Sequence, residues 1–176
     1  MKVFPMPRFK LPEVKLIPIG KKTSKGIKVD AAFISNIYST MLPSDPLFAR
    51  GLTERRIQQA DIMHASNPFN SKYFAIENSA KQIVGATSIS NPSLFDDVWF
   101  VSDTFVVPVH RGKRYAASSK IEIEKIARAE GVELLQSIMY KNNTSSIRSI
   151  RKAGFTKSRT KEKNEDNFFR FRKRLV

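Results

Sequence analysis

One loop in the second half of the sequence combines residue types that bind phosphate groups. "VVPVHRGKRYA" (106–116) is an apolar, strand-like run that ends in a proline and is followed by Arg, Gly and Lys and then by a helical segment. Backbone N–H groups at the start of a helix point outward without a partner and carry the positive end of the helix dipole. A loop of this kind is an anion-binding site. We therefore expect the segment to hold a phosphate-bearing ligand.

The composition excludes several other kinds of active site. The chain has no cysteine, which rules out thiol nucleophiles, disulfides and thiolate metal sites. Its two histidines, His64 and His110, are too far apart in sequence for the spacing of a structural zinc site. We therefore predict that the protein binds no metal and that both histidines are ordinary surface or helix residues.

The length predicts one domain preceded by a short arm. A chain of 176 residues is the size of a single globular domain. Residues 1–13 contain three prolines, which favours an extended basic arm, and residues 14–176 form the predicted domain. No apolar run approaches the roughly 18 residues that span a bilayer, and the arm lacks the apolar core of a secretory signal. We expect a cytoplasmic protein without a membrane span.

The positive charge is concentrated at the two ends of the chain. Of a formal net charge of +15, residues 1–28 and residues 151–176 each contribute +7. Clusters of Lys and Arg gain affinity for polyanions by releasing counterions. The basic ends therefore favour an acidic protein or a nucleic acid as partner, although solvated tails without any partner have the same composition.

Hydrophobic periodicity and capping residues predict a mixed α/β fold. Asp30 and Asn143 are good N-caps for two helices, and Gly154 is a good C-cap. The predicted order is strand, helix, helix, three strands, helix, strand, helix, two strands. The strands lie at 14–22, 72–78, 82–90, 97–108, 132–140, 155–161 and 168–174, and the helices at 30–42, 53–66, 112–131 and 143–153.

This order resembles that of the GNAT superfamily of acyl-CoA-dependent N-acetyltransferases. In that family a strand ending in V-x-P-x-x runs into R/Q-x-x-G-x-G/A at the start of a long helix. Val106, Pro108, Arg111 and Ala116 match this pattern. The family also commonly has an Asn separated by ten residues from a Gly-Phe pair, as Asn143 is here. The resemblance implies a mixed, mostly antiparallel sheet of about seven strands flanked by about four helices.

The resemblance also implies acetyl-CoA as the cofactor. The amides of residues 111–116 would hold its pyrophosphate, and Arg111 and Lys113 would add positive charge. Backbone groups of Val106 and Val107 would pair with the pantetheine arm, and an N–H near them would stabilise the oxyanion formed when an amine attacks the thioester. The implied cofactor-binding residues are Val106, Val107, Arg111, Gly112, Lys113, Arg114, Tyr115, Ala116 and Asn143.

Two positions depart from the family pattern. Arg114 stands where the family has a glycine. Its Cβ would either obstruct the cofactor or, in an ordinary helical conformation, leave the guanidinium to contact a phosphate. Ile150 stands where many relatives have a tyrosine that protonates the leaving thiolate. Tyr140, at the end of the preceding strand, is the candidate to replace it.

The reaction also needs a general base, because a substrate ammonium group must lose a proton before it attacks. Asp103 is the one carboxylate in the interior of the predicted strand 97–108. Partial burial would raise its pKa towards a useful range, whereas exposure to solvent or a basic partner would leave it inert. Glu77 on a neighbouring strand is the second choice, and many relatives use a relay of water molecules instead.

The C-terminal strand pair borders the acceptor side of the cleft in the family. Alternation predicts Phe169 and Phe171 in the core and Arg170 and Arg172 outside. The partner strand carries three basic residues on one face: Lys157, Arg159 and Lys161. This surface fits an acidic protein or a nucleic-acid-bound acceptor better than a free polyamine, although the same charges would also protect an edge strand from aggregation.

Together these features predict an N-acetyltransferase that moves an acetyl group from acetyl-CoA to an amine of a protein or nucleic-acid-associated acceptor. The alternative is a module that has kept the fold without the reaction. Such a module would bind nucleic acid or serve as a structural part of a larger assembly.

Overall fold

The computed structural model of the chain describes residues 10–40, 56–59, 71–91, 97–158 and 167–175. Within these ranges the strands are β1 (Val14–Pro18), β2 (Lys72–Asn78), β3 (Ile83–Ser90), β4 (Val98–Val106), β5 (Leu134–Tyr140), β6 (Thr156–Lys157) and β7 (Phe168–Arg174). The helices are α1 (Ala31–Ser39), α2 (Tyr115–Ala129) and α3 (Thr144–Lys152), with a 3-10 turn at Pro108–His110. Residues 56–59 are also helical.

The strands form one seven-stranded sheet in the order β1-β2-β3-β4-β5-β7-β6. Neighbouring strands are antiparallel, except for β4 and β5, which run parallel. The predicted mixed, mostly antiparallel sheet is confirmed. Because β7 lies between β5 and β6, the last strand of the chain is an interior strand of the sheet.

Helices cover both faces of the sheet. α2 and α3 pack on one face, where Ile123, Ile150 and Phe171 are buried in a common core. α1 packs on the other face, where Ile34 and Phe105 belong to a second buried cluster. We refer to these two sides of the sheet as the α2 face and the α1 face.

Side-chain caps begin two helices where the sequence predicts them. The Asp30 Oδ1 atom accepts a hydrogen bond from the Phe33 N–H at 2.9 Å, at the start of α1. The Asn143 Oδ1 atom accepts one from the Ser146 N–H at 3.1 Å, at the start of α3. Gly154 has φ +84, the left-handed conformation of the predicted C-cap.

Some predicted segments differ from the structure or lie outside it. β1 ends at Pro18 and not at residue 22, because the chain turns at Gly20, which has φ +88. Of the predicted helix 53–66, residues 56–59 are described and helical. The rest of that segment, which includes His64, lies outside the described residues, as do Arg159 and Lys161.

The described part of the chain can be searched for membrane-spanning helices and for metal sites. No helix there combines the length and the apolar character that a membrane span requires. No group of three or more His, Asp or Glu side chains there could hold a metal ion.

Candidate active site

A bulge in β4 places Asp103 on the α1 face of the sheet. The register between β3 and β4 shifts by one residue, so that Asp103 and Thr104 both lie opposite Thr87. Asp103 has φ +49, a left-handed conformation that Asp tolerates better than most residues. Its Oδ2 atom accepts a hydrogen bond from the Ser88 hydroxyl at 3.0 Å. The bulge therefore points the carboxylate along the sheet surface.

The environment of Asp103 suits a general base. Burial raises the pKa of its carboxyl group, and this effect exceeds the lowering by hydrogen bonds from Ser88 and Tyr73 and by the positive charge of Arg56. Burial, with a contribution from Asp103, raises the pKa of Tyr73 to about 12. The Tyr38 hydroxyl donates to the Asp103 backbone oxygen at 2.6 Å. Asp103 is thus held in place by neutral donors.

Glu77, the second candidate base, has a structural role. Its Oε2 atom accepts a hydrogen bond from the Ser24 N–H at 2.8 Å, and its Oε1 atom accepts one from the Ser24 hydroxyl. Glu77 is 2% exposed. These contacts tie the loop between β1 and α1 to the sheet and use both carboxylate oxygens.

The two parallel strands diverge beside Asp103. β4 and β5 are paired over three residues only, Val98–Phe100 with Leu134–Gln136. The Ser137 hydroxyl then donates to the Val101 oxygen at 2.8 Å. Beyond this point β5 stays paired with β7 and β4 with β3. The divergence leaves an opening in the sheet next to the bulge, as the predicted pantetheine contact requires.

Val106 and Val107, at the end of β4, differ in the direction of their backbone N–H groups. The Val107 N–H donates to the Val84 oxygen at 3.0 Å, so the prediction of Val107 as an alternative oxyanion donor is wrong. Val106 is paired with Gly85, the next pair along the ladder. Because antiparallel pairs alternate between bonded and non-bonded, the Val106 N–H is directed away from β3, towards the opening.

Two left-handed residues shape the loop before α2. Gly112 has φ +80, and Arg114, the residue before the first turn of the helix, has φ +69. The predicted ordinary helical conformation of Arg114 is therefore wrong. Left-handed backbone is the conformation that glycine adopts most easily. It is needed here because the chain reverses direction between the 3-10 turn and α2.

The same loop presents backbone donors to its surroundings. Among the described residues, the N–H groups of Gly112, Lys113, Tyr115 and Ala116 make no hydrogen bond to another backbone group. Lys113 and Arg114 line a cleft of about 450 Å³, together with Ser79 and residues 10–13 of the arm. The helix dipole adds positive potential at this point. The loop therefore fits a pyrophosphate group.

Other predicted cofactor residues make contacts within the protein. The Arg111 Nε atom donates to the Val106 oxygen at 3.1 Å, and its guanidinium lies 5.3 Å from the centre of the Phe105 ring. The Tyr115 hydroxyl accepts from the Asn78 amide at 3.3 Å. Asn143 caps α3, as described above. Their contacts with a cofactor stay predictions.

The two positions considered for protonation of the thiolate are in different environments. Ile150 is fully buried and belongs to the core beneath α3. Tyr140 is 57% exposed at the end of β5, and its ring packs against Phe168 with centroids 4.4 Å apart. Tyr140 lies on the α1 face, and its role as an acid stays a prediction.

A buried lysine next to the loop was missed at the sequence level. The Lys120 Nζ atom donates to the Ala116 oxygen at 3.1 Å and to the Ser149 hydroxyl at 3.3 Å, between α2 and α3. Burial lowers the pKa of Lys120 to about 7. Its position three residues before Ile123, on the apolar stripe of the helix, was the signal that could have identified it.

Comparison with known proteins gives the family. Residues 34–155 match the sequence profile of the acetyltransferase (GNAT) family, which is more than half of the chain. This chain belongs to the GNAT acetyltransferase family. The cofactor of the family is acetyl-CoA, and the N-acetyltransferase PseH of Campylobacter jejuni, a structural neighbour, has been solved in complex with it.

Solved GNAT structures share the fold of this chain. PseH of Campylobacter jejuni is 17% identical, with a TM-score of 0.63 over 94% of this chain and 100% of its own. A ribosomal-protein-S5-alanine acetyltransferase from Vibrio fischeri is 19% identical, with a TM-score of 0.63 over 95% and 94%. Spermidine N-acetyltransferase from Vibrio cholerae is 13% identical, with a TM-score of 0.63 over 92% and 95%. No curated protein is significantly similar in sequence.

Proposed function

We propose that this GNAT-family chain is an N-acetyltransferase that transfers the acetyl group of acetyl-CoA to an amine of a protein acceptor, free or bound to nucleic acid. One observation carries the proposal. The half-buried carboxylate of Asp103 lies on the α1 face beside the opening between β4 and β5. The phosphate-binding loop lies at the start of α2, which covers the other face.

The residues around the opening have complementary roles in acyl transfer. Acetyl-CoA supplies an acetyl group activated as a thioester. Asp103 accepts a proton from the ammonium group of the acceptor, and the resulting amine attacks the acetyl carbon. The Val106 N–H donates a hydrogen bond to the carbonyl oxygen as negative charge develops there. When the carbon–sulfur bond breaks, the sulfur keeps the electron pair and takes a proton from the Tyr140 hydroxyl, our candidate acid. The nitrogen releases its second proton to solvent, from which Tyr140 is reprotonated.

The charge of the C-terminal strand supports a protein acceptor. β7 carries four basic residues and no acidic one. Phe171 is buried in the core on the α2 face, as predicted, whereas Arg170 and Arg172 lie on the opposite face and are half-buried rather than fully exposed. A polyamine would be repelled by these charges, and an acidic segment would be attracted.

The decisive test is acetyl transfer to peptide amines by the wild type and by Asp103→Asn. The amide keeps the shape of the carboxylate but accepts no proton, so we expect kcat/KM to fall by roughly 10² to 10⁴. Wild-type kcat/KM should rise with pH through a pKa above that of an ordinary Asp, because the base acts in its deprotonated form and burial raises its pKa. Asp103→Asn should lack this rise.

Asp97→Asn is the matched control, because Asp97 lies outside the site, in the turn before β4, and its side chain is exposed. Its activity and pH profile should be those of the wild type. Titration calorimetry should give the same acetyl-CoA affinity for all three proteins. Binding of acetyl-CoA without transfer to any amine would favour the inactive module, and equal rates for Asp103→Asn and wild type would exclude Asp103 as the base.

A further inference from the structure

Two neighbouring side chains on the α1 face contain buried polar atoms without partners. Gln136 is 7% exposed, and its Oε1 atom accepts no hydrogen bond from any of the described residues. The Nε atom of Arg172 is also buried and donates none to them. The two residues are directly paired across β5 and β7, so their side chains lie next to each other on the same face. One unpaired acceptor and one unpaired donor therefore occur together.

The pair lies on the same face as Asp103 and close to the opening. Gln136 pairs with Phe100 in the last parallel pair before β4 and β5 diverge. Ser102, which is two residues beyond Phe100 on β4, pairs with Ser88, and the Ser88 hydroxyl donates to the Asp103 carboxylate. Since adjacent strands are about 5 Å apart, Arg172 lies roughly 10 Å across the sheet from β4. An acceptor whose amine reaches Asp103 would extend over this pair.

The chemistry of the two atoms specifies what they would bind. Buried polar atoms normally have partners, so two unpaired atoms side by side call for an explanation, and a bound ligand would provide one. The Arg172 guanidinium is positive and matches the two oxygens of a carboxylate. The Gln136 Oε1 atom needs a donor, such as a peptide N–H, and would repel the oxygens of a phosphate. Asp103 is the only acidic residue in β4, β5 and β7, so these strands offer Arg172 no other carboxylate.

We propose, resting on the acyltransferase function above, that Gln136 and Arg172 select a protein acceptor with a carboxylate about four residues from the amine that is acetylated. Asp103 lies roughly 10 Å beyond Phe100 along β4, and Arg172 lies roughly 10 Å across the sheet from Phe100. The two are therefore roughly 14 Å apart, which is the span of about four residues of extended peptide. Gln136 accepts from an N–H of this segment, and Arg172 binds its carboxylate. The occupant is thus an acidic peptide and not a nucleic acid strand.

The test compares two peptides that differ only in Glu or Gln at the fourth residue after the amine. The wild type should acetylate the Glu peptide with a kcat/KM about 10- to 100-fold higher, as expected for a charge-assisted contact. Arg172→Met should remove the preference, so that the Glu and Gln peptides are acetylated with the same kcat/KM. Arg174→Met is the matched control, because Arg174 is on the same strand and exposed, and it should keep the preference.

A second variant tests the direction of the effect. Arg172→Glu should prefer a peptide with Lys at the fourth position, because the charge requirement is reversed. Acetyl-CoA affinity should be the same in all variants, since the cofactor loop is on the other side of the sheet. An equal loss for the Glu and Gln peptides in Arg172→Met, or an unchanged preference, would overturn the proposal.

Peptide binding measured by fluorescence anisotropy with coenzyme A present separates this proposal from the proposed function. If the Glu peptide binds in an Arg172-dependent way but is not acetylated, the proposed Gln136–Arg172 site is supported and the proposed acyltransferase function is contradicted. Acetylation of both peptides at equal rates would support the function and overturn the site. Arg172-dependent displacement of the peptide by an oligonucleotide would identify a phosphate site and also overturn it.

Discussion

At the scale of single residues, Arg114 has a backbone conformation that glycine adopts more easily than arginine. The position adopts φ +69, which suits the glycine of the family, but it carries a long basic side chain. A left-handed conformation costs a non-glycine residue about 1 kcal/mol. The sequence identified the position as unusual. It could not give the conformation, because φ is determined by the reversal of the chain between the 3-10 turn and α2.

Two substitutions separate the backbone and the charge of Arg114. Arg114→Gly relieves the left-handed strain and Arg114→Ala keeps it, while both remove the guanidinium. We expect the free energy of unfolding of the Gly variant to be higher than that of the Ala variant by about 1 kcal/mol in urea titrations. Both should bind acetyl-CoA several-fold more weakly than the wild type in calorimetry. Equal free energies of unfolding for the two variants would show that the left-handed conformation of residue 114 is not strained.

Asp103 is a candidate site residue that could be identified from the sequence alone. It was identified because it is the one carboxylate in a long apolar strand, and its pKa is raised by burial as predicted. The bulge that orients it and the hydroxyl of Tyr73 beside it depend on the register between β3 and β4 and on the pairing of β2. Such contacts between distant segments leave no local pattern in the sequence.

At the scale of elements, α2 and α3 are joined through a buried amine. Lys120 donates to both helices and is 4% exposed. Local signals predicted both helices well, because caps and apolar periodicity are encoded in neighbouring residues. The divergence of β4 and β5 could not be predicted in this way, since the pairing of these strands is between segments that are distant in sequence.

The burial of Lys120 should make stability depend on pH. Its pKa is lowered to about 7 in the folded protein, so the unfolded chain binds one more proton between that value and the ordinary pKa of lysine. The free energy of unfolding therefore rises with pH over this range. Lys120→Met should be more stable than the wild type by an amount on the order of 4 kcal/mol below pH 7, and the difference should shrink towards pH 10.

Urea titrations at several pH values measure this difference. Lys125→Met is the matched control, because Lys125 is on the same helix and its side chain is 66% exposed. Its difference from the wild type should be small and nearly constant with pH. A pH-independent difference for Lys120→Met would show that Lys120 stays protonated in the folded state.

At the scale of the whole molecule, the C-terminal strand connects the sheet to the helical layer. Phe171 and Leu175 are buried, and the Lys173 Nζ atom donates to the Glu124 Oε2 atom of α2 at 2.5 Å and to the Ala153 oxygen at 2.7 Å. Much of the basic charge at this end of the sequence is therefore part of the folded domain and not a solvated tail. Composition showed the charge, but only the strand order shows where it lies.

Glu124 provides a test of this connection. Burial would raise its pKa, but hydrogen bonds from Lys173 and Arg128 outweigh this effect, so the pKa is lowered. The resulting stabilisation is present above the ordinary pKa of Glu and is lost as the pH falls through the lowered one. At pH 7, Glu124→Gln should lower the free energy of unfolding by about 1 kcal/mol after allowance for solvent screening. The loss should vanish in acid.

Glu122→Gln is the control for this substitution, because Glu122 pairs with the exposed Lys125. Thermal melts of both variants at pH 7 and in acid should show a shift only for Glu124→Gln, and only at pH 7. A similar shift for both would mean that helix charge in general, and not the contact with β7, stabilises the fold.

The opening between β4 and β5 has a consequence for the order of events in catalysis. In the proposed reaction the cofactor loop and the Gln136–Arg172 pair are on opposite sides of the sheet, so the two substrates would have separate entrances. Because the proposed reaction is a direct attack of the amine on the thioester, it requires both substrates to be bound at the same moment, in either order of arrival.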